Sequence, residues 1–186
     1  MIEVPNAFTA EECQSIIDLG RSSPMEYGEV YQLSRIGKVI PQVRTAKIRT
    51  ISPEECQWAF DRMWKVARDA NLPYTFDELP TMQFSEYTGA ERGSFVLHVD
   101  QNAMSKAESI RIITGIVQLS DPKDYEGAEV TTGETEMTQS ICSNARGCAI
   151  FFPSTMLHQV RPAIRGVRYS LVAWFMGPNP RLSVSH

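Results

Sequence analysis

Apolar positions in the first eighty residues recur at helical spacing in two places. After residue 81 they alternate, or run in short blocks, through most of the chain. Thr9-Ala-Glu-Glu12 has the form of a capping box, with Thr9 as N-cap and Glu12 three positions inside. The helix it opens carries Cys13, Ile16, Ile17 and Leu19 on one face, and Gly20 is the expected stop. Residues 21–43 hold no clean period and predict a long loop with room for a short hairpin. Val43 to Ile51 alternates as a strand does. Ser52-Pro-Glu-Glu55 repeats the capping box with Pro at the first helical position. The second helix follows through Trp58, Phe60, Met63, Trp64 and Ala67, a stripe suited to packing under a sheet, and Asn71 and Pro73 end it.

The remainder predicts strands over residues 81–87, 93–99, 111–119, 128–132, 147–152, 156–160 and 167–175, separated by turn-rich segments. Short strands following two helices predict a mainly β fold with N-terminal helices, a β-sandwich or jelly roll. The chain is short enough for one domain, with residues 1–80 as helical support and a jelly-roll core over about 81–177.

Composition narrows the function classes. A net charge of −4 gives no electrostatic footprint for nucleic acid or an anionic membrane. The four cysteines form no C-x-x-C pair, which predicts reduced thiols. No basic-then-apolar leader and no eighteen-residue apolar run are present, so a cytoplasmic enzyme is the expectation.

The chemistry concentrates at Gly93 to Asp100, G-S-F-V-L-H-V-D. Alternation along a strand puts His98 and Asp100 on one side. An imidazole and a carboxylate together are two-thirds of the 2-His-1-carboxylate facial triad of non-haem iron oxygenases. Of the three histidines, His186 is the last residue, leaving His158 as the second imidazole. Each residue alone has a plainer reading: a buried hydrogen-bonded histidine, a turn-capping aspartate, or a solvated basic trio in Arg161, Arg165 and Arg168.

Taken together, these pieces resemble 2-oxoglutarate- and Fe(II)-dependent oxygenases of the prolyl 4-hydroxylase type, in particular the bacterial PKHD-type hydroxylases. The resemblance is carried by Tyr87, Gly93-x-Phe95-x-x-His98-x-Asp100, Leu119-Ser-Asp-Pro-x-Asp-Tyr-x-Gly127, Phe152-Pro-Ser154, His158-x-Val160-x-Pro162 and Arg168-x5-Trp174, in that order over roughly half the chain. It implies a double-stranded β-helix with iron held by His98, Asp100 and His158. It also implies 2-oxoglutarate and O2 as cosubstrates, ascorbate as an accessory, and a proline-containing peptide or protein as substrate.

Arg168 is then the expected clamp for the far carboxylate of 2-oxoglutarate, a task for which a planar, permanently charged donor is better suited than Lys. Alternation places Ser170 and Trp174 on its face, Ser170 leaving room and Trp174 walling the pocket as a substrate contact. By resemblance Tyr87 lies near the cosubstrate. Gln118 stands where some animal prolyl hydroxylases use a tyrosine, and Phe95 replaces a tyrosine found in some relatives. Tyr27 and Tyr31, in the loop of residues 21–43, are candidate contacts for a proline ring, with that loop and residues 101–109 as a lid. The alternatives are a hydroxylase of a free amino acid or other small molecule, and a non-oxygenase jelly-roll metal-binding protein.

Overall fold

The computed structural model describes residues 1–30, 38–39, 43–101 and 107–179. In chain order the elements are β1 (Ile2–Val4), α1 (Ala10–Arg21), β2 (Glu26–Tyr27), β3 (Glu29–Val30), β4 (Lys38–Val39), β5 (Arg44–Thr45), β6 (Lys47–Ile51), α2 (Pro53–Asp69) and β7 (Met82–Thr88). Then come β8 (Ser94–His98), β9 (Ser109–Gln118), β10 (Tyr125–Gly127), β11 (Val130–Gly133), β12 (Ser140–Ile141), β13 (Ala149–Pro153), β14 (Leu157–Val160) and β15 (Ala163–Pro178).

These strands build two antiparallel sheets face to face, a jelly roll as expected. The larger runs β1-β13-β9-β15-β7-β6-β2 with β10 attached to β15, and the smaller runs β12-β11-β14-β8-β5. The pair β3-β4 forms a separate hairpin inside the segment read as a long loop. Among the described residues no helix is long and apolar enough to cross a membrane.

Both capping boxes form. The Thr9 N–H donates to the Glu12 carboxylate at 2.7 Å and Thr9 Oγ1 accepts from the Glu12 N–H at 3.2 Å. The Ser52 N–H donates to Glu55 at 2.9 Å. The two helices cover one face of the large sheet, burying Ile16, Phe60 and Met63 against Phe84, Leu171 and Phe175. A fully buried ring such as Phe84 contributes roughly 1.5–3 kcal/mol. The opposite face meets the small sheet across a second core that includes Ile116, Ile150, Phe152 and Val160. Alternation along β15 serves both cores: Leu171, Ala173 and Phe175 face the helices, while Arg168, Ser170, Val172 and Trp174 share the other side.

Three expectations are corrected. The alternating stretch from Val43 to Ile51 is not one strand. It turns at buried Ala46, placing β5 in the small sheet and β6 in the large one. Trp58 is 41% exposed because the buried stripe of α2 runs through Cys56, Ala59, Phe60, Met63 and Ala67, and Trp58 lies off it. Gly20 does not stop α1, which continues to Arg21. Gly20 is where the helix meets Phe84, and a Cβ there would lie 2.4–2.6 Å from three atoms of the ring.

Gly20→Ala should therefore destabilise the fold. The gain in helix propensity is about 1 kcal/mol, whereas forcing a well-packed ring aside costs about 1–3 kcal/mol. Urea unfolding should show a lower midpoint with an unchanged slope.

Candidate active site at the rim between the sheets

His158 on β14 pairs directly with His98 on β8. Their pairing contains a bulge: β14 advances from His158 to Val160 while β8 advances from Phe95 to His98, one residue more. β8 ends at His98, so Asp100 is not a strand residue as the alternation implied. The turn after β13 holds it, its N–H donating to the Ser154 carbonyl at 3.0 Å. The Asp100 carboxylate sits between the imidazoles, with Oδ1 3.6 Å from His98 Nε2 and Oδ2 3.4 Å from His158 Nε2. One ligand atom from each residue lies within 4.8 Å of the others.

Both rings are fixed in the same way. His98 Nδ1 is 2.7 Å from the Val96 carbonyl and His158 Nδ1 is 3.0 Å from the Met156 carbonyl. A carbonyl only accepts, so each Nδ1 carries a hydrogen, and each Nε2 faces the cluster and can present its lone pair to a metal once deprotonated. Two imidazoles and one carboxylate converging in this way are a donor set that fits Fe(II).

Burial pushes the Asp100 carboxyl up, but His158 and then His98 more than offset this and hold it well below the ordinary carboxylate range. Burial draws His98 down. It acts likewise on His158, where the Asp100 charge outweighs it and raises the ring above its ordinary value.

The residues that orient Asp100 were not read from the sequence in that role. Oδ2 accepts from the Thr114 hydroxyl at 2.8 Å and from the Trp174 indole N–H at 2.9 Å. Thr114 and Trp174 are direct partners across β9 and β15. With its hydrogen given to Asp100, Thr114 Oγ1 accepts from the Ser154 hydroxyl at 3.0 Å. Trp174, expected as a pocket wall and substrate contact, thus has its polar group committed to Asp100, and the Arg111 guanidinium covers its ring at 3.9 Å. A hydroxyl residue among the apolar positions of β9 was the available signal for Thr114.

Deeper on the same face of β15, Arg168 is 2% exposed. Gln118, which pairs with buried Ser170, accepts from Arg168 Nε at 3.0 Å and from Nη2 at 2.8 Å. The Gln118 amide donates to the Ser143 carbonyl at 2.9 Å, so its N–H groups are turned away from the guanidinium. Tyr87, the partner of Arg168 across β7, has its ring centroid 5.5 Å from the guanidinium carbon. Burial pulls the Arg168 pKa down, while Tyr87 and Tyr125 oppose that shift. Arg168 Nη1 is buried without a hydrogen-bond partner. An unsatisfied buried donor costs about 1–3 kcal/mol, and a carboxylate oxygen relieves that cost.

Tyr27 is not part of this cluster. Its row across the large sheet runs Tyr27, Lys47, Glu86, Tyr169, and Tyr169 stacks on Phe84 on the helix side, away from Arg168. Its hydroxyl donates to Glu91 at 2.7 Å. Tyr31 and residues 102–106 of the expected lid lie outside the described residues.

Residues 82–176, half of the chain, match the profile of the 2OG-Fe(II) oxygenase superfamily. The chain belongs to that superfamily. It is a 2-oxoglutarate-dependent dioxygenase whose family chemistry uses Fe(II), 2-oxoglutarate and O2. A PKHD-type hydroxylase of Pseudomonas putida is 26% identical over 181 residues, covering 94% of this chain and 77% of that protein. The crystal structure of a Pseudomonas putida prolyl-4-hydroxylase superposes with a TM-score of 0.68 at 21% identity, covering 94% of this chain and 91% of that one. A prolyl hydroxylase in complex with a hypoxia inducible factor oxygen degradation domain peptide fragment, from Trichoplax adhaerens, gives 0.74 at 17% identity, covering all of this chain and 87% of that one. These last two likenesses concern the fold.

Thr114→Val keeps the side-chain shape but removes one donor to Asp100. It should leave the oxygenase folded and weaken Fe(II) binding about 10–100-fold, as read by metal titration.

Proposed function

We propose that this oxygenase hydroxylates a prolyl residue in a peptide or protein. In this reading His98, Asp100 and His158 hold Fe(II), and Arg168 Nη1 takes the far carboxylate of 2-oxoglutarate. The observation that carries the cosubstrate assignment is the orphaned Arg168 donor, buried on the strand face that also supplies Trp174 to the iron-binding carboxylate. Ser170 leaves room beside the clamp, Gln118 fixes the edge of the guanidinium facing away from the cosubstrate, and Tyr87 flanks it.

When bound, Fe(II) couples O2 to oxidative decarboxylation of 2-oxoglutarate, one oxygen atom ending in succinate and the other in the hydroxylated product, with release of CO2. The protein supplies orientation and exclusion of water around the reacting groups. Ascorbate has the place of an accessory reductant that keeps the metal as iron(II). The prolyl substrate is supported by the two prolyl hydroxylases that share the fold, one of which carries a peptide.

Incubation with Fe(II), 2-oxoglutarate and a panel of proline-containing peptides should give succinate together with a peptide heavier by one oxygen atom. Succinate formed in step with hydroxylated free proline, and with no modified peptide, would overturn the peptide assignment. His98→Ala, Asp100→Ala and His158→Ala should each abolish 2-oxoglutarate turnover while the protein stays folded. Arg168→Ala should weaken 2-oxoglutarate binding by about 2–5 kcal/mol. Arg168→Lys should recover only part of that loss, because the ammonium lacks the planar fork.

A further inference from the structure

Outside the groups assigned so far, one buried cation stands out for its contacts among the described residues. Arg44, on edge strand β5, is 6% exposed. Its Nε is buried without a hydrogen bond, and among the described residues no carboxylate lies within ion-pair distance. The guanidinium carbon lies 4.7 Å from the centroid of the Phe95 ring, its direct partner across β5 and β8. Gly28 packs closely on the guanidinium, for a Cβ there would stand 2.6–2.8 Å from Cζ, Nε and Nη1. A buried Nε without a partner costs stability, and contact of the guanidinium with the Phe95 ring offsets part of that cost.

Phe95 passes the contact on. Its ring stacks on the His98 imidazole at 3.6 Å between centroids and 20° between planes. Residues three apart on a regular strand point to opposite faces. The extra residue of the bulge between Phe95 and His98 is what brings the two rings to one side. The far side of His98 leans on His158 at 4.2 Å. The hydrogen bond from Nδ1 to Val96 fixes the tautomer, and the stack fixes the plane in which Nε2 points.

We infer that Arg44 and Phe95 are positioning residues for His98, a guanidinium–phenyl–imidazole stack that holds one metal ligand in its binding orientation. The inference rests on the reading of His98, Asp100 and His158 as the metal site. It distinguishes two effects of opposite sign. As a bare charge, Arg44 would repel a bound dication, and its removal would tighten binding. As the outer plate of a stack it restricts rotation of His98, and its removal loosens binding. Arg44 over the Phe95 ring at 4.7 Å, with that ring stacked on His98 at 3.6 Å, favours the second.

Anaerobic titration with Co(II), a redox-stable stand-in whose visible band reports ligand geometry, tests this. Arg44→Ala should weaken Co(II) binding about tenfold and alter the band. Phe95→Leu should do the same, and the double variant should be no weaker than the weaker single one, since both remove one stack. Arg44→Lys, which keeps the charge but not the flat plate, should recover only part of the affinity; it and Phe95→Leu carry the test if Arg44→Ala does not fold. Binding as tight as wild type or tighter in Arg44→Ala, losses that simply add in the double variant, or full rescue by Lys would overturn the inference. Absence of Co(II) binding in the wild-type protein would overturn the metal-site reading, and this inference with it.

Discussion

A carboxylate buried between two sheets has to be met by donors from both, and Asp100 imposes that requirement on the architecture. The large sheet supplies Thr114 from β9 and Trp174 from β15, adjacent across one register row. The small sheet supplies two imidazoles, adjacent across β8 and β14. The turn after β13 supplies the Ser154 carbonyl to the Asp100 backbone. A charge buried to this degree without such partners would cost several kcal/mol, so the site and the packing of the two sheets are fixed together. The side chain that would bind metal is also a structural tie.

The same economy governs β15. One face holds Leu171, Ala173 and Phe175 against the helices, and the other holds Arg168, Ser170 and Trp174 toward the small sheet. The helical layer therefore packs on the face of β15 opposite Arg168. Gln118 engages two of the guanidinium nitrogens and leaves Nη1 open. In the proposed role of Arg168 as the cosubstrate clamp, this orientation would precede binding and reduce its ordering cost.

Much of this was legible in the residues, and what was not has a common cause. The capping boxes at Thr9 and Ser52 are local, and both form as the sequence states. His98, Asp100, His158 and Arg168 stand out because their residue types and order are unusual, and the fold brings the first three together. Gly20 misled because glycine often ends helices, whereas here it answers a ring on a distant strand. Ala46 misled because alternation continues through a corner where the chain changes sheets. Thr114 carries only a faint local mark, a hydroxyl among apolar positions, and Arg44 carries none. Their significance comes from register across strands, and for Arg44 from a bulge that the single-strand pattern does not reveal.

In the proposed function the triad and Arg168 act as two ends of one binding site for a 2-oxo dicarboxylic acid. Anaerobic titration of the metal-free protein with Fe(II) and then 2-oxoglutarate is the decisive test. A weak visible charge-transfer band should appear only when both are present, and Arg168→Ala should shift it to much higher 2-oxoglutarate concentration. Binding of both without the band, or a band whose 2-oxoglutarate dependence is the same in Arg168→Ala, would contradict it.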